Sequence, residues 1–312
     1  MRKVIVSGAG GFVGKALVSE LLKHGVEVIA LVRNKDNHNL EEHKNLKVYS
    51  FSLDKAFLLA ESLSDRDVDT FFHLAWAGSA GKDRADAQLQ LNNAIWAGDC
   101  VRLAKTLGCS RFINAGSIME TETIRAELKD GNKPGLSYIY GTGKLAAHMI
   151  CKSVAADIGI DFICAIITNA YGEGEISPRL VNTTIQKCIR QESPQFTAAT
   201  QNYDFVYIDD VARAFRLIGE NGKPFTDYLI GSSNAKTLKS FLLEMQEAIS
   251  PNLKYEFGNV PFTGINLELE YFNCEKTELD TGFKASICFA EGCRRTRDWL
   301  LKAKEKNNES EI

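Results

Sequence analysis

No apolar stretch in this chain approaches the roughly 20 residues that a membrane-spanning helix needs, so no membrane partner is expected. Charge of one sign is also missing. The 37 Lys and Arg against 40 Asp and Glu leave a formal net charge of −3, and nothing in that balance suggests a nucleic-acid surface. The eight cysteines are scattered, with no Cys-x-x-Cys and no Cys/His cluster of zinc spacing, so no metal is expected. Cys288 and Cys293 are the nearest pair, and buried free thiols are the reading for both. No internal repeat or low-complexity block is evident. The apolar start runs directly into glycines and does not have the form of a secretory leader, which makes a reducing cytoplasm the simplest compartment.

What is present is an ordinary globular composition, 45% hydrophobic and 25% charged, on 312 residues. That length suits one large or two interlocked domains. Val4-Ile5-Val6-Ser7 reads as a β-branched strand, Gly8-Ala9-Gly10-Gly11-Phe12-Val13-Gly14 as a glycine turn, and Lys15 to Lys23 as an amphipathic helix. In this context Gly8 permits the tight turn, Gly11 lets the backbone approach a pyrophosphate, and Gly14 lets the helix pack closely on the strand. The helix N-terminus offers free N–H groups and a positive dipole end to phosphates. Further strands are expected at 26–32, 46–51, 69–75, 111–115 and 160–167, with helices near 15–24, 85–107 and 137–157. The alternation predicts an α/β fold, a doubly wound parallel (Rossmann) sheet with its ligand at the C-terminal ends of the strands. Beyond Asn169 the pattern is less regular, as expected of a smaller lobe. The charged tail 303–312 lacks apolar periodicity and is expected to fray.

The run Ser137-Tyr138-Ile139-Tyr140-Gly141-Thr142-Gly143-Lys144 adds chemistry. Residues four apart on a helix share a face, so the Tyr140 phenol and the Lys144 ammonium project together. A Tyr with an ordinary pKa of about 10 is a poor acid–base catalyst near neutrality, and an adjacent cation favours its phenolate.

Gly8-x-x-Gly11-x-x-Gly14, the strand Phe71-Phe72-His73-Leu74-Ala75, Asn93, Ser117 and Tyr140-x-x-x-Lys144 follow the order seen in extended short-chain dehydrogenases/reductases, which the chain resembles from about residue 2 to about residue 300. Asn169-Ala170-Tyr171-Gly172 and Asp204-Phe205-Val206-Tyr207-Ile208-Asp209-Asp210-Val211 are similar to two motifs of the nucleotide-sugar members. The resemblance implies a dinucleotide-binding domain of 1–168 plus about 203–231, and a discontinuous substrate lobe of about 169–202 plus 232–302. It implies an acid–base set of Ser117, Tyr140 and Lys144. The cofactor would be held by Gly8, Gly11, Phe12, Val13, Gly14, Arg33, Leu53, Ala75, Ala77 and Asn93, together with Tyr140 and Lys144. His73, on a central apolar strand, reads as a structural residue and not as a base.

Arg33 ends the second strand where NAD sites usually carry an acid, so NADP is the expected cofactor, with NAD possible; a solvated loop is the other reading of Arg33 and Lys35. Ile118 and Met119 stand where 4,6-dehydratases carry Asp-Glu, and Met119 where the 3,5-epimerising reductases carry Cys. What remains is reduction of a nucleotide-linked 4-keto-6-deoxy-sugar, or 4-epimerisation with tightly held NAD. A dinucleotide-sensing regulator would not need the Tyr/Lys pair. Glu120 and Glu122 are nearby acids without an assigned role. Ser117, Asn169, Arg179 and Phe196 are the expected substrate contacts, Phe196 by stacking on a base. Tyr203 replaces the Arg usual before Asp204, which leaves the nucleotide open. Family members often pair the helices near 85–107 and 137–157 across a two-fold axis, so a homodimer is expected.

Overall fold

Gly8 takes φ +70° at the end of the first strand, β1 (Lys3–Ser7), and reverses the chain beneath the neighbouring loop. A Cβ there would lie 2.7 Å from Ala75 N, and one at Gly14 would lie 2.1 Å from Gly8 O. Because the turn is completed within the motif, helix α1 (Phe12–Lys23) starts at Phe12, inside the glycines, and not at Lys15. The computed structural model describes residues 1–63 and 66–310, and the side chains of its last helix as far as Glu305.

The chain continues through β2 (Glu27–Val32), β3 (Leu46–Ser50), the short helix α2 (Leu58–Ser62), β4 (Thr70–His73), α3 (Ala87–Thr106), β5 (Arg111–Ser117), α4 (Met119–Glu127), α5 (Tyr138–Ile158) and β6 (Asp161–Ile167). The periodic helices near 85–107 and 137–157 are α3 and α5. Helices α2 and α4, of five and nine residues, have no counterpart in the sequence pattern because they are too short to carry a helical period. Next come β7 (Asn169–Tyr171), α6 (Leu180–Ile189), β8 (Gln195–Phe196), β9 (Asn202–Tyr203), β10 (Phe205–Tyr207), α7 (Ile208–Asn221) and β11 (Thr226–Ile230). The chain ends with β12 (Lys236–Thr237), α8 (Leu238–Ile249), β13 (Glu256–Phe257), α9 (Glu275–Thr281) and α10 (Phe289–Ser310). Helix α10 thus runs through most of the segment read as a frayed tail; residues 311–312 lie outside those described.

Seven parallel strands form the main sheet in the order β11-β6-β5-β4-β1-β2-β3. The winding reverses between β1 and β4, and crevices for ligands form at the C-terminal ends of strands at such a point. Side chains along each strand alternate between two layers. Val4, Val6, Ile113 and Ile163 join Leu17, Leu21, Phe215 and Ile218 from α1 and α7 in one core. Ile5, Phe71, Phe112 and Phe162 face Ala97, Val101, Ala147 and Cys151 from α3 and α5 in the other. Each such fully buried apolar side chain contributes about 1.5–3 kcal/mol, which is why both faces of the central strands are apolar.

Beyond β6 the chain builds three small pairings: β7 with β10, β9 with β12, and β8 with β13. Tyr171, Phe205, Phe241 and Phe289 pack ring against ring over this region, with centroids 4.9–6.1 Å apart. All eight cysteines are free thiols and seven are buried; Cys288, expected to be buried, is exposed. Among the described residues no helix is long and apolar enough to cross a membrane.

Candidate active site

A cleft of about 980 Å³ opens over the C-terminal ends of β1, β2, β4 and β5. Its walls include Gly8, Gly11, Phe12, Val13 and Gly14, Arg33 and Leu53, Ala75 and Ala77, and Ser117, Tyr140 and Lys144. The start of α1 has no side-chain cap and no acidic residue in its first turn, so its N–H groups and dipole face the cleft uncompensated. Nothing within 4 Å of a Cβ built at Gly11 intrudes except Gly8 O, at 3.2 Å. A backbone cradle of this kind fits a dinucleotide pyrophosphate. Arg33 is exposed at the end of β2, on the same wall as Asn34 and Asn39.

Tyr140 and Lys144 lie in the first turns of α5, which is pressed against α4: a Cβ on Gly141 would fall 2.1 Å from Thr123 Oγ1. Lys144 Nζ donates to Ala115 O at 3.0 Å and lies 3.7 Å from the centroid of the Trp76 ring. Trp76 meets Tyr140 edge-on at 6.1 Å, and the Arg84 guanidinium lies 4.0 Å from the Tyr140 centroid. Ser117 ends β5, and its Oγ accepts from Met119 N at 3.3 Å. Helix α3 holds the loop after β4. Asn93 exchanges two 2.9 Å hydrogen bonds with the Ala77 backbone, and Gln90 accepts from Trp76 Nε1 at 2.8 Å. Asn93 is therefore a buried clamp that steadies the backbone of this loop, the role the resemblance implies for it, and it lines neither cavity, so the cofactor grouping it was given holds only through Ala77.

Ser117 and Tyr140 also line a second cavity of about 260 Å³, on the side away from the glycine loop. Ile118, Met119, Asn169, Arg179, Arg84, Glu122 and Tyr203 complete much of its wall. Asn169 is fixed by the β7–β10 pairing and donates from Nδ2 to Asp204 O at 3.1 Å. Arg179 pairs with Glu175 at 3.4 Å. Burial pushes the Glu122 carboxyl up to about 7 despite the opposing pull of Arg84, and burial with the Glu122 charge pushes Tyr203 up to about 12. Burial also lowers Arg84.

Phe196 does not reach either cavity. Its ring is buried between Tyr255 and Phe257, with centroids 5.5 Å away on each side, because the β8–β13 pairing turns it into the lobe's core. The expected base-stacking contact is not made. His73 lies outside both cavities too. It is buried with Nδ1 3.0 Å from Ser7 Oγ, and burial, helped by Lys144, drives its pKa down to about 3, so the ring is neutral. Sequence reasoning missed Trp76 and Arg84. Both lie on the glycine-punctuated loop after β4, where no periodicity marks a side chain as inward-facing; Asp86, capping α3 by accepting from Leu89 N at 3.0 Å, fixes where that loop ends.

The model of the NAD dependent epimerase/dehydratase family matches residues 4–231. Among curated proteins, the CDP-abequose synthase of Salmonella typhimurium is 28% identical over 273 residues, covering 82% of this chain and 85% of that protein. The dTDP-4-dehydro-6-deoxyglucose reductase of Escherichia coli is 24% identical over 309 residues, covering 93% of this chain and 94% of its own. Among solved structures, MoeE5 in complex with UDP-glucuronic acid and NAD superposes with a TM-score of 0.80 at 22% identity, over 96% of this chain and 99% of that one.

Glu122 gains its proton as pH falls through about 7, which leaves the second cavity more positive beside Arg84 and Arg179. A nucleotide sugar, whose diphosphate diester does not titrate in this range, should therefore bind more tightly at about pH 6 than at about pH 8, by up to roughly tenfold for a one-unit difference in carboxyl pKa between free and bound forms. Glu122→Gln, neutral throughout, should flatten that dependence. Titration calorimetry at the two pH values checks it, and an unchanged slope in the variant would remove Glu122 as its source.

Proposed function

The chain belongs to the NAD dependent epimerase/dehydratase family, and we propose that it is the member that reduces a nucleotide-linked 4-keto-6-deoxy-sugar to the 4-hydroxy sugar, with NADPH, in the cytoplasm. Coarser than that proposal, and independent of it, the protein is a nucleotide-sugar-modifying enzyme. The observation that carries the finer reading is the apolar pair Ile118 and Met119 on the wall of the second cavity, directly after Ser117. Ile118 is buried against Leu267 and Phe272 and has no proton to exchange. A ketoreductase needs a proton only at the carbonyl oxygen, and Tyr140 stands where the two cavities meet. The names of the Salmonella and Escherichia coli relatives support the same class of sugar.

In this reading the lobe of about 169–202 plus 232–302 holds the sugar nucleotide over the dinucleotide-binding part of 1–168 plus about 203–231. Gly11 and the N–H groups of α1 hold the pyrophosphate, and Arg33 the 2′-phosphate. A bound nicotinamide dinucleotide supplies the hydride. The Ser117 hydroxyl orients the substrate oxygen, and the Tyr140 phenol gives it a proton. The Lys144 ammonium, fixed by Ala115 O, contributes positive charge on the same helix face as that phenol. Asn169 and Arg179 meet the substrate diphosphate, with Arg84 supplying a cation across the cavity from Tyr203. A 4-epimerase with tightly bound NAD uses the same acid–base set; the NAD in the MoeE5 complex favours it as the second reading.

Incubation with a nucleotide-linked 4-keto-6-deoxy-hexose and NADPH should oxidise one cofactor per 4-hydroxy product. Tyr140→Phe should lower turnover by roughly 10²–10⁴-fold while keeping cofactor affinity. In deuterated water no label should enter C3 or C5 above background. Enzyme-dependent exchange at C5 would make Glu122 a base and the protein something other than a simple reductase, whereas interconversion of 4-epimers without net NADPH loss would select the second reading.

Cofactor choice is tested separately. NADPH should bind more tightly than NADH, and Arg33→Ala should narrow the gap by about 1.5–3 kcal/mol, the range for a hydrogen bond to a charged group. Fluorescence titration of both cofactors reads this directly. Equal affinities in the wild type would end the assignment to NADP.

We also propose a homodimer. Helices α3 and α5 pack side by side and leave Leu91, Ile95 and Met149 at 48%, 56% and 55% exposure. Ala147 and Ala155 are committed to the chain's own core and Ala146 packs against it, so these larger side chains, with Ala156, are left for the two-fold contact. Light scattering at micromolar concentration should give twice the chain mass, and Ile95→Glu should halve it.

A further inference from the structure

Four residues of α5 fall in one row at intervals of four: Tyr140, Lys144, His148 and Lys152. The first two face the cavities. The last two face a polar cluster behind Ser117, buried at His148 and Glu120 and half-exposed at Asp227 and Lys152, that no step of the reaction uses. His148 is 7% exposed and Glu120 3%. Both nitrogens of the His148 ring are engaged, Nδ1 with Glu120 Oε2 at 2.9 Å and Nε2 with Asp227 Oδ1 at 3.1 Å, and Lys152 Nζ lies 3.6 Å from Asp227 Oδ2. The other oxygen of Glu120 accepts the backbone N–H of Ser117 at 2.8 Å.

We propose that Glu120 and His148 are positioning residues: an ion-paired tie, anchored on Asp227 of β11, that locks the backbone of Ser117 to the helix carrying Tyr140 and Lys144. The inference rests on the reading that Ser117 and Tyr140 act together on one substrate oxygen. Lys144 already holds β5 at Ala115 O. Glu120 adds a second rung at Ser117, so a rotation or slide of α5 relative to the strand end would break both. Glu120 fixes the Ser117 backbone N–H, and Met119 N donates to Ser117 Oγ, so both ends of the residue are held while its hydroxyl proton stays free for the substrate oxygen. Burial alone would lower the His148 pKa, but hydrogen bonds to Asp227 and Glu120 outweigh it and raise it to about 12. The reciprocal effect holds Asp227 below the usual carboxylate range. The imidazolium is therefore charged at neutral pH and bridges two carboxylates. Phe162, its ring tilted against His148 at 5.7 Å, and Cys164, whose thiol burial pushes up to about 11, close the β6 side without adding charge. Glu120, His148 and Cys164 also bring ligand atoms within 4.8 Å of one another, as a metal site would. A metal would need a ring nitrogen of His148, and carboxylates already occupy both.

The wild-type protein, labelled with ¹⁵N and observed at neutral pH, should show two slowly exchanging ring protons on one histidine, lost in His148→Gln, and a downfield Ser117 amide that moves upfield in Glu120→Gln. Both variants should lose turnover by roughly 10- to 100-fold, the scale of a misplaced reacting group, with KM and cofactor affinity within about twofold of wild type. Glu120→Gln/His148→Gln restores a neutral hydrogen-bonded pair and should turn over faster than His148→Gln; if that single variant does not fold, the wild-type ring protons and the turnover of Glu120→Gln decide the test. Three results would overturn the tie: absence of the ring protons in the wild type, unchanged turnover in folded variants, or one equivalent of zinc that co-purifies and is lost on His148→Gln. The spectroscopic outcome needs no substrate. Failure to reduce any 4-keto-sugar would therefore count against the proposed reaction, and failure to see the paired imidazolium against the tie.

Discussion

Lys144 is 6% exposed, and a buried cation must find partners or lose its charge. It finds the Ala115 carbonyl below and the Trp76 π-face beside it. Those contacts are possible only if three things happen together. Strand β5 must end beneath the first turns of α5, α4 must abut at Gly141, and the loop after β4 must bring its indole inward. Gln90 and Asn93 on α3 enforce the last by bonding to that loop at both Trp76 and Ala77. Much of the local architecture can be read as the set of conditions under which one charged side chain stays where it is.

Two chemically different spaces meet at that point. The larger is made chiefly of backbone: a glycine turn, a helix N-terminus without a cap, and small residues on the loop after β4. Such a wall favours extended, anionic ligands through N–H groups and a fixed dipole, neither of which depends on a side-chain rotamer. The smaller adds Arg84 and Glu122, side chains of opposite sign that the larger lacks, in surroundings dry enough to perturb both of them and Tyr203. A space of that kind can discriminate among ligands more sharply, because a charge left unpaired there is costly. Ser117, Tyr140, Glu175 and Arg179 belong to both.

Long helices and apolar strands were legible in the chain. The strands near 26–32, 46–51 and 111–115 and the helices near 85–107 and 137–157 all occur, and the alternation that predicted a parallel doubly wound sheet is the observed order about β1 and β4. Short elements were not. Helix α4 has few apolar positions and forms because β5 ends and α5 returns over it, neither of which is written within its nine residues. The site divided in the same way. The glycines, Tyr140 and Lys144 could be read because a fixed spacing on one turn or one helix face carries their meaning. Phe196 was misassigned because an aromatic residue on a two-residue strand can face the core or the ligand, and only its pairing with β13 decides which.

The sequence alone determined the fold class, the backbone cradle and the shared face of Tyr140 and Lys144, since each follows from local geometry over a few residues. Tertiary structure alone decided that Arg84 lies against Tyr140, that Trp76 lies against Lys144, and that Glu120 turns away from the cavity while Glu122 enters it. These relations join residues far apart in the chain. Their energies, of burial, cation–π contact and ion pairing at low dielectric, exist only once the sheet has brought the partners together.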